Sequence, residues 1–331
     1  MTEHWRMLAL PALDAGLLEA LFADLPVDVV VPADRSFDAI LAAAQDADLL
    51  LGDWGGLRVS GELVGAAKRL AFVQQPSVGV DAVDVEACTA AGIPVANAGA
   101  ANAISVAEWC IGASFGVLRW LAYADARVRA GGWPQLEVAQ RGGGELAGRR
   151  VGIVGMGRIA REAASRFVAL GCDVAHWSRT ERPAEAAGGA RWLSLDGLLT
   201  HSQLLVVLIA LTPQTRDLIG AAELGQLPAG AIVVNAARGG IVDETALLAA
   251  IRSGALAGAA LDVYDTEPLP EDSPLRAEDR ILLSPHAAGA SQEAQGRLIA
   301  TVVDNVSRAV SGQPVHDVVN GLEPVIRRRE G

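Results

Sequence analysis

A chain of 331 residues exceeds what one hydrophobic core ordinarily serves, so the sequence reads as two domains. With 51% of residues apolar, 20% charged and a formal charge of −12, it is globular rather than disordered. It is also too acidic for a nucleic-acid partner, whose phosphates require clustered Lys and Arg.

From residue 27 onward, short β-branched runs alternate with alanine- and leucine-rich helical stretches. The pattern predicts strands over 27–31, 48–51, 70–74 and 94–96, with helices filling the gaps, hence parallel βαβ units. A single long helix is expected over 104–129, closed by Gly131 and Gly132. A second α/β series starts at Arg149, with strands over 151–154, 173–177, 204–208, 231–235, 258–263 and 281–284. Residues 291–311 read as a last helix, with Gly312 as its stop signal. The expected fold class is therefore α/β, with two doubly wound parallel-sheet domains.

The longest apolar stretch, residues 204–211, falls far short of the ~20 residues a membrane span requires. The N-terminus lacks the basic-then-apolar pattern of a secretion signal, so a cytoplasmic protein with no membrane partner is expected. Cys88, Cys110 and Cys172 are widely spaced in apolar or helical surroundings and read as buried free thiols. The histidines never pair at metal-ligand intervals, and no metal is expected.

The second series opens with a strand that runs through Gly155-Met156-Gly157-Arg158-Ile159-Ala160 into an amphipathic helix. In such a turn the first glycine permits the tight bend, and the second lets the backbone approach a pyrophosphate at the helix N-terminus. Dinucleotide binding follows, with Gly155, Gly157, Arg158 and Ile159 as candidate contacts. The next strand ends in Ser178-Arg179-Thr180 instead of the acidic residue that usually binds an NAD ribose. A hydroxyl followed by a guanidinium would accept a 2′-phosphate, so NADP(H) is favoured over NAD(H).

Ligands of parallel sheets gather outside the carboxyl ends of the strands. Arg238, Glu267 and His286 each follow such a strand, on the same edge as the glycine turn. The chemistry of carbonyl reduction needs these residue types. Hydride arriving at a ketone carbon builds charge on oxygen, and an imidazole, which titrates near neutral pH, can protonate it. Glu267 would hold the ring and favour its charged form. Arg238 offers a planar fork for a substrate carboxylate and polarises the carbonyl.

These motifs, together with Ala101-Asn102-Ala103-Ile104-Ser105-Val106-Ala107-Glu108, Asn235-Ala236-Ala237-Arg238-Gly239-Gly240 and Ser284-Pro285-His286-Ala287-Ala288-Gly289, resemble the D-isomer-specific 2-hydroxyacid dehydrogenases over nearly the whole chain. The resemblance implies a Rossmann coenzyme domain inserted into a flavodoxin-like substrate domain, with the active site in the cleft between them. The implied boundaries are 1–100 for the first part of the substrate domain, 101–288 for the coenzyme domain, and 289–331 for a return helix and tail. It places catalysis on Arg238, Glu267 and His286, and the substrate-carboxylate loop on Ser77, Val78 and Gly79. It sets Asp262 beside the nicotinamide amide and adds Thr212, Ala236, Arg238, His286 and Gly289 to the cofactor contacts. A homodimer through the helix near Ile104 is also implied.

Departures narrow the substrate. Phosphoglycerate-using members carry an arginine where this chain has Asp53-Trp54, and Asp53 would repel a phosphate. Formate-using members replace Glu267 by glutamine, and phosphite-using members place a lysine near Val78. The expected activity is interconversion of a small 2-keto acid, such as glyoxylate or hydroxypyruvate, with its D-2-hydroxy acid. The alternative is a dinucleotide-sensing protein on the same fold, as in transcriptional corepressors that resemble this family.

Overall fold

A computed structural model describes residues 4–54 and 56–329. Two compact units emerge: unit 1 holds the residues up to Ala101 and those from Gln292 onward, and unit 2 runs from Asn102 to Ser291.

Unit 1 begins with β1 (Trp5–Ala9), α1 (Ala15–Leu21), β2 (Val27–Val30), α2 (Phe37–Ala44) and β3 (Leu49–Leu51). It continues through α3 (Gly61–Ala66), β4 (Phe72–Gln74), α4 (Val85–Ala90) and β5 (Val95–Ala96). The sheet is parallel in the order β2-β1-β3-β4-β5, the flavodoxin-like arrangement. Asp14, Ser36, Ser60 and Asp84 each cap a helix by accepting a backbone N–H three residues on, which fixes where α1 to α4 begin.

Unit 2 comprises α5 (Ala103–Leu118), α6 (Leu121–Arg129), α7 (Gln135–Arg141), β6 (Arg150–Val154), α8 (Arg158–Ala169), β7 (Asp173–Trp177), β8 (Arg191–Trp192), α9 (Leu195–His201) and β9 (Leu204–Val207). It closes with α10 (Ala221–Leu224), β10 (Ala231–Asn235), α11 (Glu244–Arg252), β11 (Leu256–Leu261) and β12 (Ile281–Leu283). The order β12-β11-β10-β9-β6-β7-β8 is a Rossmann sheet with its switch point between β6 and β9. Strands β9 and β10 are buried throughout, as expected of parallel strands covered on both faces.

The return helix α12 (Gln292–Val310) belongs to unit 1, where Val302, Val306 and Ala309 share a core with Met7, Phe22 and Phe72. Its buried Asn305 donates from Nδ2 to Oε1 of Gln74 (2.8 Å).

The periodicity misses strand β1 and the two-residue strand β8, and it runs two helices together. Strand β1 is invisible in sequence because Trp-Arg-Met-Leu-Ala lacks the β-branched residues that mark strands; pairing with β2 on one side and β3 on the other creates it. The helix expected over 104–129 is broken, since Trp120 adopts a left-handed backbone (φ +56°) between α5 and α6. The Arg141 guanidinium lies over the Trp120 ring at 4.7 Å and over the Tyr123 ring at 3.9 Å, holding the bend. Among the described residues no single helix is long and apolar enough to cross a membrane.

Candidate active site

The glycine turn connects β6 to α8. Gly155 has φ +100°, and a Cβ there would lie 2.5 Å from the Leu208 carbonyl oxygen, so glycine is required for the chain to pass. Gly157 caps α8, and a Cβ there would meet nothing within 4 Å. The turn therefore presents open space at the N-terminus of a 12-residue helix, with Arg158 and Ile159 opening its first turn. That cradle fits a pyrophosphate.

Beyond β7, the Ser178 hydroxyl donates to the Thr180 carbonyl (2.7 Å), and Trp192 Nε1–H donates to the Ser178 carbonyl (3.2 Å). These bonds fix the loop that carries Arg179. Arg179 is exposed and makes no hydrogen bond or ion pair among the described residues. Thr212 is engaged within its own turn: its N–H donates to Thr215 Oγ1 (2.7 Å), and the two hydroxyls lie 3.1 Å apart.

Three loops at the carboxyl ends of β10, β11 and β12 carry the candidate catalytic residues. Arg238 follows β10; its carbonyl accepts from Asn235 Nδ2 (3.2 Å), and its Nη1 donates to the Ala237 carbonyl (2.7 Å). Ala236 is half-buried on the same loop. A Cβ at Gly239 would fall 1.9 Å from the Tyr264 carbonyl oxygen, so only glycine lets the Arg238 and Glu267 loops pack this closely. Glu267 accepts at Oε1 from the Tyr264 N–H (3.0 Å) and at Oε2 from His286 Nδ1–H (2.7 Å). With Nδ1 committed to the carboxylate, Nε2 is the ring nitrogen left for a ligand.

His286 itself has a left-handed backbone, φ +54°. Its N–H donates to the Asp262 carbonyl (2.8 Å), while the Asp262 carboxylate accepts from Ala287 N–H (2.8 Å) and Ala288 N–H (2.9 Å). Asp262 is buried and thus braces the histidine loop from beneath. Gly289 lies beyond the brace, with no room for a Cβ beside Asn102 Nδ2, 2.7 Å away.

In unit 1, the loop of Ser77, Val78 and Gly79 follows β4. All three of its carbonyls are turned inward. The Ser77 carbonyl accepts from Ala98 N–H (2.9 Å), that of Val78 from Asn97 Nδ2 (2.7 Å), and that of Gly79 from the Ser77 hydroxyl (2.7 Å). The three N–H groups make no hydrogen bond among the described residues. Runs of successive unpaired N–H groups are the donor sets from which anion-binding nests are built.

Asp53 corrects the sequence expectation. Its carboxylate is buried, taking Arg35 Nη2–H (2.7 Å) and Leu57 N–H (3.1 Å), and so is not a free charge that would repel an anion. Trp54, 48% exposed, is tethered by its Nε1–H to the Pro76 carbonyl (3.0 Å). Sequence reasoning missed Gln75, Asn97, Tyr264 and the bracing role of Asp262. Asn97-Ala98-Gly99 after a strand is a turn signature that could have marked Asn97; Gln75 leaves no local signal.

The chain matches the NAD binding domain model of the D-isomer specific 2-hydroxyacid dehydrogenases over residues 111–288. It is 40% identical over 282 residues to the D-3-phosphoglycerate dehydrogenase of Mycobacterium leprae, covering 85% of this chain and 52% of that one. It thus spans about half the length of the D-3-phosphoglycerate dehydrogenases it matches. The glyoxylate reductase of Aeropyrum pernix is 37% identical over 292 residues, which make up 86% of each chain. The crystal structure of TT0316 protein from Thermus thermophilus superimposes with a TM-score of 0.83 at 32% identity, covering 95% of this chain and 99% of that one. Fold, glycine turn, family model and relatives agree, and the chain belongs to the D-isomer specific 2-hydroxyacid dehydrogenase family.

Proposed function

We propose that the protein interconverts a small 2-keto acid and its D-2-hydroxy acid with NADP(H) in preference to NAD(H). The observation that carries this reading is the 2.7 Å bond from His286 Nδ1–H to Glu267, on the same sheet edge as the open glycine turn. A nicotinamide dinucleotide bound at that turn supplies or accepts the hydride. Gly155, Gly157, Arg158 and Ile159 would hold its pyrophosphate, and Asp262 would lie near its nicotinamide. His286 Nε2 gives its proton to the carbonyl oxygen in reduction and takes it back in oxidation. Glu267 holds the ring in the tautomer that leaves Nε2 outward. Arg238 pairs with the carboxylate and polarises the carbonyl, and the N–H groups of Ser77, Val78 and Gly79 are a second anion-binding feature.

Exposed Arg179, with Ser178 and Thr180 in place of a carboxylate, supports the preference for a 2′-phosphate. Trp54, an apolar half-exposed ring where a phosphate would need a cation, supports an unphosphorylated substrate. Exposed Leu121, Val128, Trp133 and Leu136 on α6, α7 and their connection support a homodimer through unit 2.

The test is oxidation of NADPH and NADH against glyoxylate, hydroxypyruvate, pyruvate, a bulky aryl keto acid and phosphohydroxypyruvate. Turnover of an unphosphorylated acid, faster with NADPH, is expected. Selective turnover of phosphohydroxypyruvate would overturn the substrate reading. Cofactor binding without any turnover would favour the dinucleotide sensor.

A further inference from the structure

The nest in unit 1 depends on side chains that touch no ligand. We propose that Gln75 is a positioning residue: its carboxamide keeps the 77–79 loop with carbonyls inward and N–H groups outward, ready for a carboxylate. The inference rests on the reading that this loop binds the substrate's carboxylate.

The Gln75 side chain is buried, and its Nε2 donates twice, to the Asp53 carbonyl (2.9 Å) and to Ser77 Oγ (2.9 Å). Because Ser77 Oγ accepts from Gln75, its single proton is directed elsewhere, and it goes to the Gly79 carbonyl at 2.7 Å. That bond closes the loop upon itself. Asn97 performs the neighbouring task. Its Oδ1 accepts from Gly99 N–H (2.9 Å), which orients Nδ2 towards the Val78 carbonyl. Gln75 thus sets the Gly79 end of the loop through Ser77, while Asn97 and the Ala98 N–H hold the Val78 and Ser77 carbonyls.

The remaining Gln75 oxygen shows what this arrangement sacrifices. Oε1 is buried and has no hydrogen-bond partner among the described residues. Turning the amide over would set that oxygen against the Asp53 carbonyl, so the orientation is forced. A Cβ on Gly52 would lie 2.1 Å from Oε1, so the chain also gives up a side chain there to seat the amide. An unpaired buried acceptor is a cost that a hydrocarbon of the same length would not carry. The two donated bonds, to the Asp53 carbonyl and to Ser77 Oγ, are what the carboxamide adds against that cost.

The experiment compares wild type with Q75M and Q75E, reading KM for the best keto acid, kcat, and NADPH affinity by fluorescence. Q75M removes both donors while keeping length and burial. It is expected to raise KM about tenfold, the scale of one or two lost hydrogen bonds, with kcat and NADPH affinity near wild type. Q75E is expected to raise KM further at high pH and to recover at low pH, where the protonated acid donates again. Unchanged KM in Q75M, or equal losses in kcat and NADPH affinity, would overturn the proposal. If Q75M does not fold, the pH dependence of KM in Q75E decides alone, and a pH profile parallel to wild type overturns it. If wild type turns over no keto acid, the functional reading fails, and oxalate affinity by calorimetry judges Gln75 instead: equal affinities in wild type and variants overturn it.

Discussion

The carbonyl of Asp262 accepts the N–H of His286 at 2.8 Å, and this bond begins the brace that holds the histidine in a left-handed backbone. Such a conformation costs a non-glycine residue about 1–2 kcal/mol, so surrounding structure has to impose it. Ala287 and Ala288 complete the brace through the Asp262 carboxylate. Asp262→Asn offers one acceptor oxygen where two are needed and sets an amide group against an N–H. We expect a loss of roughly 1–3 kcal/mol in stability, seen in thermal melts, and a lower kcat with little change in KM. Unaltered kcat would show that the strained loop is irrelevant to turnover.

His286→Ala removes the group assigned to proton transfer. Turnover should fall by at least ~10²-fold, the usual scale for losing a general acid, with NADPH affinity retained. Glu267→Gln should be milder, because the amide oxygen still accepts from Nδ1–H. Steady-state kinetics with a cofactor titration checks both, and an active His286→Ala enzyme would move the proton source elsewhere.

Arg179→Ala should change the cofactor ratio rather than the chemistry. One charge-assisted contact to a 2′-phosphate is worth roughly 1.5–3 kcal/mol, so kcat/KM for NADPH should drop at least ~10-fold while that for NADH holds. Equal effects on the two cofactors would assign Arg179 to solvent.

Acid should weaken unit 2 through His176. Its ring is buried in β7, Nδ1 has no partner, and Nε2 faces the Arg182 carbonyl at 3.4 Å. Burial pushes its pKa below the ordinary value, with the nearby Arg182 charge acting the same way. The folded protein thus binds fewer protons here than the unfolded chain. Stability rises with pH across that window: it is fully present above about pH 6.5 and is lost as pH falls towards the lowered folded-state value. His201 is shifted in the same direction, chiefly by burial. Melting temperature between pH 7 and 5 should fall less steeply in His176→Phe than in wild type. Parallel curves would remove His176 from the account.

How much was legible depends on whether a feature is local. The glycine turn, the Ser178-Arg179 loop after β7, and the three residues after β10, β11 and β12 all carry short-range signals. Asp262 was legible as a position but not as a brace, because its partners are 25 and 26 residues away. Gln75 reaches Asp53 22 residues back. The inward pairing of Asp53 with Arg35 likewise joins two loops that no periodicity relates. Strand β1 and the bend at Trp120 exist because neighbours impose them on sequences with other local preferences.

The hydrogen bond from Asn305 to Gln74 spans 231 residues. Unit 2 is made of one continuous stretch of chain, whereas unit 1 waits for α12. On a ribosome, unit 2 can close while the segment containing Val302 and Val306 is still enclosed by the ribosome, and the apolar face of β4 and Phe22 stays uncovered meanwhile. The coenzyme-binding half is thus the natural first folder, and the half bearing the nest is the one exposed to chaperones and proteases during synthesis.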